Sequence, residues 1–392
     1  MRLANFDPGA FLRDHWQQAP LLIRDAWDAW RDPLDPDELA GLACEPGVES
    51  RLVTGDPGAP RTLSLEHGPF EPARFARLGD RDWTLLVQAV DHHDPDVAAL
   101  ISSFRFIPDW RIDDVMVSYA AEGGGVGPHT DQYDVFLIQG LGRRRWRVGP
   151  RCHADTALLP HDELRLLADF RPSHEWLLEP GDILYLPPGF AHDGVAADGP
   201  CMTYSIGFRA PSRAELVSAW SDDVLSRLPE DDRYADPGLA LQSNPGEITA
   251  AALALLQTSV VAALSDRARF ADWFGRHATT PKYPETDWRP ERALAADAVA
   301  AALAAGIPLA RNPASRFAFV RDAAADAGEG GSVTLFVDGA AWPCSGNLAR
   351  FAQALCAGPH LAPDPATAAD PAIVNLVTTL CNAGALAFAE DD

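Results

Sequence analysis

What the 392-residue sequence lacks narrows its class before any motif is considered. Cysteine is sparse: six residues, at 44, 152, 201, 344, 356 and 381, with no Cys-x-x-Cys pair. The scatter fits reduced thiols in a cytoplasmic protein. The start, Met1 to Trp16, has no apolar run followed by a cleavage site and carries Asp7, Arg13 and Asp14. It reads as neither a signal peptide nor a membrane span. Basic charge is also scarce, with 32 Lys and Arg against 56 Asp and Glu, a net charge of -24. Such a surface repels nucleic-acid backbones and anionic membranes and attracts basic partners. Within 291–392, eleven acids face five arginines and no lysine, which disfavours a nucleic-acid-reading role there. No internal repeat stands out. Hydrophobic residues make up 47%, enough for a buried core and too many for disorder.

What is present falls into three stretches. The first hundred residues read as mixed α and β. Asp7-Pro8, Asp35-Pro36 and Asp94-Pro95 each set a capping residue before a proline at the first helical position. Pro20 to Ile23 and Trp83 to Val90 are short apolar runs. From Ile112 to Phe208, short strands alternate with Gly/Pro turns, with candidates at 112–119, 133–139, 144–149, 175–179, 183–186 and 201–208. That pattern predicts an antiparallel barrel or sandwich. From about Pro211 the periodicity is helical, over Ala214 to Leu228, Glu247 to Leu264 and around Trp273-Phe274. These helices either form a dimer interface or pack on their own barrel. Residues 279–290 read as a linker. Beyond it come a helix from Glu291 to Ala305, a hairpin of Phe317 to Val320 and then Val333 to Val337, and helices near Leu348 and Ala372, which suits a helix-plus-wing module.

The chemistry-bearing stretch is Gly127 to Asp134, with Pro187 to His192 following. His129 and Asp131 are two apart, so on an extended segment leading into Val135–Ile138 both side chains leave one face. A third ligand must come from a strand that folds back beside them. His192 stands where such a strand would begin, after the Pro180-Gly181-Asp182 turn and the run Ile183 to Leu186. Two histidines and a carboxylate form the facial triad of non-haem Fe(II) oxygenases, which leaves positions open for co-substrate and oxygen. The alternative is a pair of structural histidines. His92-His93 and Cys152-His153 place adjacent side chains on opposite faces and read as structural or surface residues. The run Gly123 to Gly127 leads into a strand rather than a helix N-terminus, so it is a flexible lead-in and not a phosphate cradle.

In Arg143 to Val148, alternation puts Arg143, Arg145 and Arg147 on one face and Arg144, Trp146 and Val148 on the other. The second face is apolar and reads as inward. An arginine there keeps its charge and needs an anion. A dicarboxylate co-substrate would supply one bidentately, and an internal Asp or Glu is the alternative. On the strand from Asp114 to Tyr119, Asp114, Met116 and Ser118 share a face. If that face lines the cavity, Ser118 can bond a carboxylate, Asp114 can receive a cationic substrate side chain, and Met116 can pack on its methylenes. Otherwise Asp114 is an ordinary solvated acid.

Taken together, Gly-Gly-Gly-Val-Gly-Pro-His-Thr-Asp-Gln-Tyr-Asp-Val-Phe, Gly-Arg-Arg-Arg-Trp-Arg-Val-Gly, Glu-Pro-Gly-Asp-Ile-Leu-Tyr-Leu-Pro-Pro-Gly-Phe and Tyr-Ser-Ile-Gly-Phe-Arg-Ala-Pro closely resemble the bacterial ribosomal oxygenases of the Jumonji-C class. The resemblance is strong over about 10–220 and weaker beyond. It implies a mixed α and β fold: a double-stranded β-helix (cupin/Jumonji-C) barrel at 1–210, a helical dimerisation region at 211–278 and a winged-helix-like domain at 291–392. The implied activity is Fe(II)- and 2-oxoglutarate-dependent hydroxylation, with O2, of an arginine at its β-carbon in large-subunit ribosomal protein sixteen. By motif, iron falls on His129, Asp131 and His192, and the 2-oxoglutarate carboxylate on Arg144 and Ser118. The implied substrate pocket comprises Asp114, Met116, Tyr133 and Ser205. The implied partners are a basic ribosomal protein and a second copy of the chain, with no nucleic acid or membrane. A histidine hydroxylase or N-methyl-lysine demethylase on the same scaffold, or a non-catalytic cupin-like module, are the rival readings.

Overall fold

The computed structural model describes residues 1–322 and 331–389. In chain order the elements begin with α1 (Pro8–Asp14), β1 (Leu21–Ile23), α2 (Pro36–Leu42), β2 (Ser50–Thr54), β3 (Ser64–His67), α3 (Pro72–Phe75), β4 (Trp83–Val87) and α4 (Pro95–Leu100). There follow β5 (Ile112–Ala120), β6 (Asp134–Gln139), β7 (Arg144–Arg151), β8 (His174–Leu178), β9 (Ile183–Leu186), β10 (Phe190–Ala196) and β11 (Cys201–Phe208). The helices start where the Asp-Pro pairs place them. Asp7 accepts the Gly9 amide at 2.8 Å, Asp94 accepts the Val97 amide at 2.8 Å, and Asp35 forms a reciprocal box with Glu38. These caps satisfy donors that a helix end otherwise leaves open.

The strands build two antiparallel sheets. One has eight strands in the order β1-β9-β6-β11-β5-β4-β2-β3, and the other has three in the order β10-β7-β8. Alternation along the large sheet divides its side chains cleanly. Val115, Val117, Phe136, Ile138, Ile183, Tyr185, Tyr204 and Ile206 enter one core with Phe11, Leu39 and Phe104 from the N-terminal helices. Val135, Leu137, Leu184 and Leu186 face the other way and meet Trp146, Val148 and Leu178 of the small sheet. Phe136 is fully buried, with ring centroids 4.7 Å from Phe104 and 4.9 Å from Tyr185. Its truncation to alanine would cost about 3–5 kcal/mol. The space between the two sheets, beyond their apolar contact, holds the polar residues described below.

The rest of the chain carries α5 (Arg213–Leu225), α6 (Ala250–Leu264), α7 (Arg267–Thr279), α8 (Ala296–Ala304), β12 (Leu309–Arg311), β13 (Phe317–Arg321), β14 (Val333–Val337), β15 (Ala340–Cys344), α9 (Gly346–Ala357), β16 (His360–Leu361), α10 (Pro371–Asn382) and β17 (Leu386–Phe388). Residues 282–316 and 357–392 cluster with 1–210 in one compact unit, and residues 211–281 cluster with 317–356 in a second. In the second unit α5 and α7 share a core of Trp220, Val224 and Trp273. There α7 also lies on the sheet β13-β14-β15, where a Cβ on Gly275 would stand 2.4 Å from the Phe336 ring. By contrast α6 buries none of its residues: Leu253 is 54% and Val260 60% exposed.

Candidate active site

His129 and Asp131 sit just before β6 and not on it. The expected strand starting at 133 begins one residue later, and the extended segment pairs elsewhere. The His129 amide donates to the His192 carbonyl at 3.0 Å, the His192 amide returns the bond at 2.9 Å, and the Gly189 amide donates to the Asp131 carbonyl at 2.7 Å. This two-way bridge brings the start of β10 beside the His-x-Asp segment. His192 Nε2 lies 3.4 Å and His129 Nε2 4.0 Å from Asp131 Oδ2. All three ligand atoms fall within 4.8 Å of one another, the one such group among the described residues.

The donor set suits a divalent metal. His129 Nδ1 meets the Gly127 carbonyl at 2.8 Å, and His192 Nδ1 meets the Phe190 carbonyl at 2.9 Å. A carbonyl only accepts, so both Nδ1 atoms carry the proton and both Nε2 lone pairs face the shared centre. Burial alone would raise the Asp131 carboxyl, but a hydrogen bond from the protonated form of His192 and the positive charge of the two rings hold it down at about 2, a role that passes to a cation when both Nε2 atoms bind it as neutral ligands. The third donor is therefore anionic. Two neutral nitrogens and one carboxylate on one side of a metal match a facial triad.

Arg144 lies on the inward face of β7, whose pattern leaves Arg145 exposed and Arg144, Trp146 and Val148 buried. Its Nη1 donates to Ser118 Oγ at 3.1 Å and Thr203 Oγ1 at 3.2 Å, and its Nε is buried with no acceptor. No carboxylate lies within 4 Å of this guanidinium among the described residues, which disposes of the internal-acid alternative. A buried cation in that condition is costly unless an anion completes it.

Comparison with known proteins agrees with this geometry. Residues 99–216 match the JmjC domain model, residues 262–387 match a ROXA-like winged helix, and residues 172–271 also match an AraC-like ligand binding domain. The ribosomal protein uL16 3-hydroxylase of Escherichia coli (strain K12) is 43% identical over 287 residues, 72% of this chain and 75% of that one. The chain belongs to the JmjC-domain ribosomal oxygenases. A probable ribosomal oxygenase of Haemophilus influenzae is 38% identical over 57% of this chain and 54% of its own. Among solved structures, E. coli ycfD superposes with a TM-score of 0.88 at 36% identity, covering 99% of this chain and 100% of that one. The same protein in complex with cobalt and 2-oxoglutarate gives 0.85 at 35% identity, covering 99% of each chain. The expected barrel and winged helix are thus the fold of this oxygenase.

The substrate face predicted for this ribosomal oxygenase assembles in part on the paired strands β5 and β11. Asp114, Met116 and Ser118 share one side of β5, opposite the core-facing Val115 and Val117. On the neighbouring strand Ser205 pairs with Met116 and Thr203 with Ser118. Tyr133, two residues past Asp131, is 41% exposed. Asp114 is not the solvated acid that its Arg-Ile-Asp-Asp context allowed. It is 3% exposed, and its Oδ2 accepts from Gln88 Nε2 at 2.7 Å, the Ala89 amide at 3.0 Å and Lys282 Nζ at 2.8 Å.

Thr203, Gln88 and Lys282 were not anticipated from the sequence. Alternation along 201–208 could have given Thr203, since it shares a face with Ser205. Nothing local marks the other two. The glycine run is not a loose lead-in: a Cβ on Gly124 would stand 2.1 Å from the Trp83 carbonyl, and one on Gly125 2.6 Å from the Gly194 carbonyl. Backbone close approach is what these glycines provide. Cys152 and His153 line a cleft of about 600 Å³ with Thr130 and Gln132 and contribute nothing to the triad.

Proposed function

We propose that this chain is an Fe(II)- and 2-oxoglutarate-dependent protein hydroxylase that 3-hydroxylates an arginine in a large-subunit ribosomal protein. The observation that carries the reading is a buried arginine, Arg144, without an internal counter-ion, which lies over the Trp146 ring beside His192 of a His-Asp-His donor set. The E. coli relative is named a uL16 3-hydroxylase, and its structures hold cobalt with 2-oxoglutarate or succinic acid.

In this reading His129, Asp131 and His192 hold the iron, which when bound supplies oxygen activation coupled to oxidation of 2-oxoglutarate. The protein's own share is orientation and electrostatics. The Nδ1 bonds to Gly127 and Phe190 fix the imidazole planes, so the ligand lone pairs need no reorganisation. Arg144, aided by the Ser118 and Thr203 hydroxyls, holds the far carboxylate of 2-oxoglutarate and completes its own unpaired Nε. Asp114 and Ser205 receive the substrate guanidinium while Met116 and Tyr133 flank its methylenes. An anionic Asp114 favours a cationic side chain over a neutral imidazole, which sets the histidine-hydroxylase reading second.

The finer expectations belong to the same proposal. The chain acts in the cytoplasm as a homodimer on a basic ribosomal protein, does not bind nucleic acid directly, and divides into a catalytic domain at 1–210, a dimerisation region at 211–278 and a winged-helix-like domain at 291–392. The exposed apolar residues of α6 support the dimer. No helix among the described residues is long and apolar enough to cross a membrane. Incubation with purified ribosomal proteins, iron and 2-oxoglutarate tests the whole reading. One protein should gain one oxygen atom on an arginine. Loss of a methyl group, or oxygen on histidine, would favour the rivals, and iron binding without turnover would favour the non-catalytic module.

A further inference from the structure

Lys282 is the only lysine in the sequence, and its ammonium is committed to the substrate face. Nζ lies 2.8 Å from Asp113 Oδ2 and 2.8 Å from Asp114 Oδ2. Neighbouring residues of a regular strand point to opposite faces, so one cation should not reach both. The ladder explains how it does. Ile206 pairs with Val115 but Phe208 pairs with Ile112, so Asp113 and Asp114 together oppose Gly207. Two residues against one is a β-bulge, a device that re-aims side chains beside active sites.

The bonds of the two acids then divide. Asp113 is also paired by Arg316, whose Nη2 lies 3.0 Å from its Oδ1. Asp114 takes all three of its donors, from Gln88, Ala89 and Lys282, on Oδ2. Its Oδ1 accepts nothing among the described residues and lies 3.8 Å from where a Cβ on Gly207 would stand, on the β11 face that also carries Ser205. We propose that Lys282 is a positioning residue for the substrate arginine: it pins Asp114 by Oδ2 and leaves Oδ1, on the Ser205 side, as the acceptor for the guanidinium. This rests on the arginine reading above. Burial pushes the Asp114 carboxyl up and the ammonium opposes that shift, so the same contact favours the anion that a guanidinium needs. Lys282 touches neither the triad nor Arg144, and its loss should spare both.

The test compares wild type, Lys282→Met and Lys282→Arg in full-length protein, with purified uL16 as substrate and iron and 2-oxoglutarate supplied. Lys282→Met should raise the KM for uL16 on the order of ten- to a hundred-fold, the loss expected for one charge-assisted contact. The KM for 2-oxoglutarate should stay unchanged, and Lys282→Arg should recover most of the deficit. An unchanged KM for uL16 in Lys282→Met overturns the proposal. A lower one does too, because Lys282 would then be a cation competing for the seat of the guanidinium. No turnover by wild type overturns the arginine reading and this inference with it.

Should Lys282→Met fail to fold, the single lysine gives a second readout on the wild-type chain. Isotope-labelled lysine yields one side-chain ε resonance, followed while uL16 is added to the zinc- and 2-oxoglutarate-loaded protein. A resonance that keeps its ion-paired position at saturation supports positioning. One that moves to the free-lysine value overturns it.

Discussion

Replacing Arg144 by methionine should move stability and co-substrate affinity in opposite directions. The arginine is 5% exposed, its Nε has no acceptor among the described residues, and its Nη1 bonds two neutral hydroxyls. Losing those two bonds costs about 1–3 kcal/mol, and losing the contact with the Trp146 ring, 5.6 Å from the guanidinium carbon, costs about 1 kcal/mol more. Against that, an uncompensated buried charge carries a desolvation penalty of several kcal/mol, which methionine removes. The protein without co-substrate should therefore unfold within about 1–2 kcal/mol of wild type, or be more stable. Affinity for 2-oxoglutarate should instead fall by about 3–4 kcal/mol, the loss of a charge-assisted carboxylate pair, or roughly 100- to 1,000-fold. Thermal unfolding of the zinc-loaded protein with and without 2-oxoglutarate reads both terms. At a hundred times its dissociation constant the co-substrate stabilises wild type by about 2.7 kcal/mol, while Arg144→Met at the same concentration should show little shift. A variant that is strongly destabilised alone, yet still stabilised by 2-oxoglutarate, would refute the assignment of Arg144.

Other perturbations test separate parts of the account. Asp131→Ala should abolish stoichiometric Co(II) binding in a visible-absorption titration, since it removes the anionic donor; retained binding would take Asp131 out of the site. Asp91 is 2% exposed, accepts the Val115 amide at 2.8 Å, and is pushed up to about 8 by burial and then by the charge of Asp114. Its folded form thus keeps a proton that the unfolded chain releases near pH 4. That contribution is full below about pH 4 and is lost as pH rises towards 8, by up to about 1.4 kcal/mol per unit. Asp91→Asn should lose this slope in urea titrations between pH 5 and 8, and parallel curves would contradict it. Leu256→Asp, on a helix with no buried residue, should leave the fold intact and convert the proposed dimer to a monomer in sedimentation; an unchanged dimer would place the interface elsewhere.

How much of this could be read in the chain depended on whether the signal was local. Helix starts followed from Asp-Pro pairs because capping is a contact over two or three residues. The inward position of Arg144 followed from alternation with Trp146 and Val148. The triad was visible because residues two apart on extended backbone share a side, even though the segment pairs outside the β6 ladder. What escaped was set by distant backbone. Asp193 and Gly194 interrupt the apolar pattern of β10, and Gly194 is there because a Cβ would stand 2.7 Å from the Trp146 ring. Lys282 meets Asp114 across 168 positions, by way of a bulge that no spacing in the sequence marks. The glycine run looked loose because its crowding comes from Trp83 and Gly194. In α6 apart from Gln257, Thr258 and Ser259 the residues are apolar, so periodicity alone could not separate an interface from a core.

The most direct measurement is a crystal structure of this chain soaked with Mn(II) and 2-oxoglutarate. The account predicts one metal ion on His129 Nε2, His192 Nε2 and an Asp131 oxygen, with the far carboxylate of 2-oxoglutarate on Arg144 and within reach of Ser118 and Thr203. Metal bound without one of those three ligands, or a co-substrate whose carboxylate leaves Arg144 unpaired, would contradict it.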